Sequence, residues 1–161
     1  MTAPIRLWIH GASHPAFRNG GWAYVRAAEG GVVGQAGGER AVTAQRMALT
    51  AFLAALRDLP KGEAVIVHLA HPAFLAVARR IGAGSASADD PTEDLDLWAQ
   101  LIAAVQARPT TFVHADIRPQ TPMAFVAAWA DLAGDKAKAT GKFSAAIPKP
   151  NLAKIAGLGP A

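Results

Sequence analysis

Short apolar runs bounded by small and polar residues fill the first third of the chain, and helical apolar periodicity fills most of the rest. Ile5 to His10 reads as a buried strand ended by a Gly11-Ala12-Ser13 turn. A second turn, Asn19-Gly20-Gly21, leads into a strand at Trp22 to Ala27, and Glu29-Gly30-Gly31 turns the chain back through Val32 to Ala36. Three strands joined by short turns predict an antiparallel meander. From Thr43, a residue whose hydroxyl suits an N-cap, Met47, Leu49, Phe52, Leu53 and Leu56 recur on one face of a helix that runs to about Asp58. Ala64 to Leu69 suits a central parallel strand. His71-Pro72 then opens a helix to about Ile81.

The stretch Gly82 to Pro91 is small, polar and acidic and reads as a flexible surface loop. Asp94 or a neighbour is expected to cap the next helix, which turns Leu97, Trp98, Leu101, Ile102 and Val105 to one side. Thr110 to His114 forms the fifth strand. Thr121-Pro122 is a strong helix start, followed by Phe125, Val126, Trp129 and Leu132 as the expected inward face, with an end between Gly134 and Ala139. Gly141, Pro148, Pro150, Gly157, Gly159 and Pro160 then rule out a long helix, and predict a loosely held tail with a short docked turn near Leu152 to Ile155. The expected fold class is α/β: a five-stranded mixed sheet, its first three strands antiparallel and the last two joined by crossovers.

Composition sharpens this picture in three places. A chain of 161 residues, 52% hydrophobic, buries a core as one ordinary domain. No uninterrupted apolar run reaches membrane-spanning length, no signal-peptide pattern opens the chain, and the absence of cysteine excludes disulfides; a cytoplasmic protein without membrane contact is expected. The net charge of +4 is uneven: residues 1–135 hold 11 Lys and Arg against all 12 Asp and Glu, whereas residues 136–161 hold Lys136, Lys138, Lys142, Lys149 and Lys154 and no acid. Such a basic end fits a polyanionic partner and equally a solubilising terminus.

Several local motifs, in order, resemble ribonuclease H. The first strand of that family ends Asp-Gly-Ser, and here the chain reads His10-Gly11-Ala12. Gly20-Gly21-Trp22-Ala23 matches a Gly-Gly-aromatic segment, and Thr43-Ala44-Gln45-Arg46-Met47-Ala48-Leu49 matches Thr-x-x-Arg-Met-Glu-Leu. Ala70-His71 stands for Asp-Ser, Leu95-Asp96-Leu97-Trp98 for Val-Asp-Leu-Trp, and Ala130-Asp131-Leu132-Ala133 for Asp-Glu-Leu-Ala. The resemblance spans roughly residues 4–139. It implies a three-layer fold with helices on both faces of the sheet, a ribonuclease H-like domain at 1–139 and a basic C-terminal tail at 140–161.

The resemblance also implies a reaction, hydrolysis of RNA paired with DNA by two divalent ions held on carboxylates. The four positions concerned read His10, Ala48, Ala70 and Ala130. One imidazole and three methyl groups do not hold a magnesium pair, so no metal and no cofactor is expected. Two rescues stand beside that reading: Asp131 entering by a one-residue slip, although a helical step of about 100° turns it away, and a zinc site from His10, His68 or His71, and His114 on neighbouring strands. His14 reads as a loop residue. For nucleic-acid binding, the resemblance implies that Ser13, Asn19, Thr43, Gln45 and Arg46 lie near a substrate backbone, while Lys136, Lys138 and Lys142 add charge and Phe143 a stacking surface.

Other catalytic schemes lack their residues: there is no cysteine nucleophile, nucleophile elbow, phosphate loop or dinucleotide fingerprint. Three readings follow. The leading one is a non-catalytic module that binds RNA–DNA hybrid, RNA or DNA through backbone contacts. The second is a protein-interaction module without nucleic acid, and the third a metal-dependent hydrolase with displaced ligands.

Overall fold

A computed structural model describes residues 3–60, 62–84 and 92–158. The meander is present as β1 (Ile5–Ser13), β2 (Gly20–Ala28) and β3 (Gly31–Glu39). After it come α1 (Ala44–Leu56), β4 (Val65–Leu69), α2 (Pro72–Gly82), α3 (Leu95–Gln106), β5 (Thr110–His114) and α4 (Pro122–Thr140). Two further elements, β6 (Phe143–Ala146) and α5 (Lys149–Leu152), lie in the stretch read as a tail. The sheet therefore has six strands rather than five, in the order β5-β4-β1-β2-β3-β6. The sixth pairs antiparallel with β3, Gln35 opposite Ala146 and Gly38 opposite Phe143. Four residues ending at Ala146, two before Pro148, leave too little periodicity to announce a strand. Seven of the ten residues of the predicted loop, 85–91, lie outside the described residues.

Side-chain alternation splits the core into two layers. Ile5, Leu7 and Ile9 of β1, with Trp22 and Tyr24 of β2, face α1, α2 and α3. Trp8, Ala23, Val25 and Ala27 face α4. The α4 layer is built from small residues: Ala130, Ala133, Gly134 and Ala137 are buried along one side of the helix. Leu132, expected inward, is 61% exposed. Its step along the helix turns it away once Ala130, Ala133 and Gly134 settle on the sheet.

The two glycine segments read as turns are strand. Gly11 pairs with Trp22, and Gly21 pairs with both Ala12 and Gly38. They are glycine because helix backbones sit on them. A Cβ on Gly11 would collide with the backbone of Met47 and Ala48 in α1, and one on Gly21 with the backbone of Ala130 and Gly134 in α4. Glycine in a strand thus marks close backbone approach. The true turn is at 14–19.

Thr43 and Thr121 cap their helices as expected, accepting from Arg46 N at 3.1 Å and Ala124 N at 3.2 Å. Asp94 occupies the N-cap position of α3 but makes no side-chain cap, and its backbone is left-handed at φ 57°. Its carboxylate turns instead to Arg46 at 3.0 Å and Gln45 at 3.2 Å, tying α3 to α1.

Candidate functional site

Packing alone brings the four family positions to one end of the sheet. β1 and β4 run parallel with Ile9 beside Leu69, so His10 and Ala70 follow next on adjacent strands. Ala48 reaches them because α1 rests on Gly11, and Ala130 because α4 rests on Gly21. Ala48 and Ala130 are buried, and Ala130 packs in the α4 layer with Ala23.

His10 is the polar member of this group and is 6% exposed. Its ring stacks on His71 with centroids 5.0 Å apart, and its Nδ1 has no hydrogen-bond partner among the described residues. Burial, with the neighbouring His71 adding to it, lowers its pKa from 6.5 to about 4. It is a neutral imidazole at physiological pH. On the other side of His71, Ala48, Phe74, Val77 and Trp98 line a mainly apolar cavity of about 340 Å³ between α1, α2 and α3.

The remaining histidines hold separate posts. His68 stacks on Trp8 at 4.6 Å and donates from Nδ1 to the Leu7 carbonyl at 2.8 Å; burial lowers its pKa, opposed by that bond. His114 donates from Nε2 to the Ala70 carbonyl at 3.1 Å and lies 3.6 Å from Asp116. The zinc arrangement of His10, His68 or His71, and His114 does not form. Among the described residues no three His, Asp or Glu side chains gather closely enough to hold a metal ion.

Solved structures share this architecture. LC11-RNase H1, in complex with an RNA/DNA hybrid, superposes with a TM-score of 0.65 at 20% identity, over 83% of this chain and 98% of that one. The fold is that of ribonuclease H. RNase H1 from the halophilic archaeon Halobacterium salinarum is similar at TM-score 0.59 and 17% identity, over 83% of this chain and 99% of that chain. LC9-RNase H1, a type 1 RNase H with the type 2 active-site motif, reaches 0.70 at 15% identity over 98% of this chain and 83% of its own. No protein-family model matches the chain, and no curated protein matches it in sequence.

The donor set does not fit the metal pair expected on a ribonuclease H-like fold. Divalent magnesium needs hard oxygen ligands, and His10, Ala48, Ala70 and Ala130 bring none. Asp131 does not slip into place: Ala130 lies on the sheet while Asp131 is exposed. With Asp135, Ser13 and His14, Asp131 lines a separate cleft of about 220 Å³ between α4 and the 14–19 turn.

The ribonuclease H-like fold engages most of the polar residues expected at a nucleic acid. Asn19 is buried and donates from Nδ2 to the Gly134 carbonyl at 2.8 Å, holding the 14–19 turn on α4. Thr43 is occupied as a cap, and Gln45 and Arg46 by Asp94; Arg46 also lies 3.6 Å from Asp96, which raises its pKa further. Ser13 stays half-buried at the rim of the 220 Å³ cleft. Lys142 lies 3.6 Å from Glu39. Lys136 sits 4.6 Å over the Phe143 ring, and Lys138 3.4 Å over the ring of Phe17. Phe17 and Arg40 were missed in the sequence. Arg40 donates to the carbonyls of Ala137, Lys138 and Ala139 and so closes the C-terminal end of α4. Phe17 had a legible signal, an aromatic inside a Pro- and His-containing turn where burial is not expected.

Proposed function

We propose that this protein is a catalytically degenerate ribonuclease H-like module that binds nucleic acid without cleaving it. One observation carries the reading: the fold gathers the four family positions at one end of the sheet, and they hold His10, Ala48, Ala70 and Ala130. A centre of this kind has no carboxylate to hold the metal pair that would activate water and neutralise a leaving oxygen. Binding in this reading rests on Lys136, Lys138, Lys142, Lys149 and Lys154, with Ser13, Thr43 and Gln45 lying along the face that approaches a duplex in related folds. A similar fold, that of LC11-RNase H1, was solved in complex with an RNA/DNA hybrid, which supports this reading.

A fluorescence-anisotropy titration against a labelled RNA–DNA hybrid at two salt concentrations tests binding. Affinity is expected to fall steeply with salt and to be indifferent to sequence. Replacing the five lysines by glutamine should remove most of it. Incubating the hybrid with magnesium or manganese should leave it intact; cleavage would return the protein to the hydrolases.

A protein-interaction module is the second reading, and the engaged cations favour it. Arg46, Lys142 and Arg40 already face Asp94, Glu39 and helix carbonyls. An absence of hybrid binding at low salt would select it.

A further inference from the structure

The turn that joins β1 to β2 is built to hold an aromatic ring outward. His14 N donates to the Asn19 carbonyl and Arg18 N to the His14 carbonyl, each at 2.8 Å, closing residues 14–19 into a compact loop. His14 Nδ1 accepts from Ala16 N at 3.1 Å and Phe17 N at 3.3 Å. Arg18 takes a left-handed backbone at φ 58°, a conformation that side-chain-bearing residues adopt only when the surroundings impose it. Asn19 then anchors the loop to α4. The outcome is that Phe17 is 60% exposed on a hydrogen-bonded loop. Burial is not what this arrangement achieves.

The ring has an imidazole and a cation beside it, the His14 ring lying 4.9 Å away, centroid to centroid. Lys138 places its ammonium 3.4 Å from the ring centroid. Arg40 bonds the Lys138 carbonyl, the Arg18 carbonyl accepts from Val42 N at 3.0 Å, and Arg18 follows Phe17 in the chain, so three cationic residues belong to this loop and the segments tied to it. Arg18 is exposed and has no side-chain partner among the described residues. Asp131 and Asp135 line the neighbouring cleft with His14, and Glu39 lies 3.6 Å from Lys142.

We infer that Phe17 is a stacking platform for an unpaired base of single-stranded nucleic acid, with Lys138 and Arg18 taking the phosphates beside it. An exposed aromatic flanked by cations binds a strand by combining a base-to-ring stack with phosphate contacts, and does so without reading sequence. Lys138 rides on a flexible stem. When a base takes the ring, its ammonium moves from the π face to the adjacent phosphate. A duplex, with its bases already stacked, has nothing to offer the ring. The inference rests on the nucleic-acid reading above and narrows it to a single strand at this loop.

The test is anisotropy of the full chain with a short labelled oligo(U), beside an RNA–DNA hybrid of the same length. The oligo(U) is expected to bind, and Phe17→Ala to weaken it about tenfold, as for one lost base stack. Phe17→Leu keeps apolar bulk without a π face and should weaken it similarly; Phe17→Tyr should bind as the parent does. Lys138→Gln should flatten the slope of log affinity against log salt by about 0.7. If oligo(U) binds the parent and both Phe17→Ala and Phe17→Leu equally, or if only the hybrid binds, this inference falls and the nucleic-acid reading stands. If neither ligand binds, both fall.

Discussion

The middle and the C-terminal end of α4 belong to one helix and behave as opposites. At the middle, Ala130, Ala133 and Gly134 press on the glycines of β2 and β3, with a Cβ on Gly21 or Gly38 meeting helix backbone. Two and four residues beyond Gly134 the helix turns to charge: Lys136 and Lys138 lie over Phe143 and Phe17, and Arg40 covers the last carbonyls. Small residues allow the close approach that places His10 and Ala130, and the methyl groups of Ala48, Ala70 and Ala130 supply no charge there. Cations instead sit where water still solvates them, and where their cost is low. The geometry of a reaction centre and the chemistry of one are separable, because packing specifies the first and a few side chains the second.

The comparison breaks most easily at its buried half. Ala130→Asp places a lone carboxylate in the α4 layer and should cost about 4 kcal/mol in urea unfolding. An unchanged midpoint would mean that the layer is far looser than its packing. Acid should act next. His10 is neutral in the fold, with its pKa lowered from 6.5 to about 4, so the unfolded chain binds the extra proton between those values. Its contribution is complete above about pH 6.5 and is lost as pH falls toward 4, at most about 3 kcal/mol. His68 is lowered too and acts in the same direction. His10→Leu should therefore remove part of the acid sensitivity, while a stability profile identical to the parent's would contradict a buried neutral His10.

At the charged half the effects shrink. Arg40→Ala removes the guanidinium from three helix carbonyls at a partly solvated end, of which Ala137 keeps its bond from Gly141 N, and should cost about 1 kcal/mol, read as a lowered melting temperature. Phe17→Ala should change stability by no more than about 0.5 kcal/mol. That near-silence in folding, set against its expected effect on a single strand, distinguishes a displayed ring from a structural one. A large loss of stability would place Phe17 in the core economy of the loop.

Much of the fold was legible because its signals are local. The meander, the Thr43 and Thr121 caps and the apolar face of α1 rest on period and on single hydroxyls. What escaped depends on partners distant in sequence. Gly11 and Gly21 look like turn residues until a helix backbone is known to lie against each. Leu132 looks like core until Ala130 and Gly134 show which side of α4 touches the sheet. Asp94 looks like a cap until Arg46, 48 residues earlier, takes its carboxylate. Of the candidate site, His10, Ala48, Ala70 and Ala130 could be named from motif alone. The Lys138–Phe17 pair could not, since it joins a loop and a helix more than a hundred residues apart.

The sixth strand also bears on what the sheet's border offers to another chain. Without it, β3 would present nine residues of open, glycine-containing edge, the kind of template onto which another chain adds a strand. β6 covers Gln35 to Gly38 of that edge and replaces it with a border only four residues long. At the opposite border, Arg79 places a guanidinium on the Phe112 carbonyl of β5 at 2.7 Å. Each margin of the sheet is therefore a short strand, four residues at β6 and five at β5.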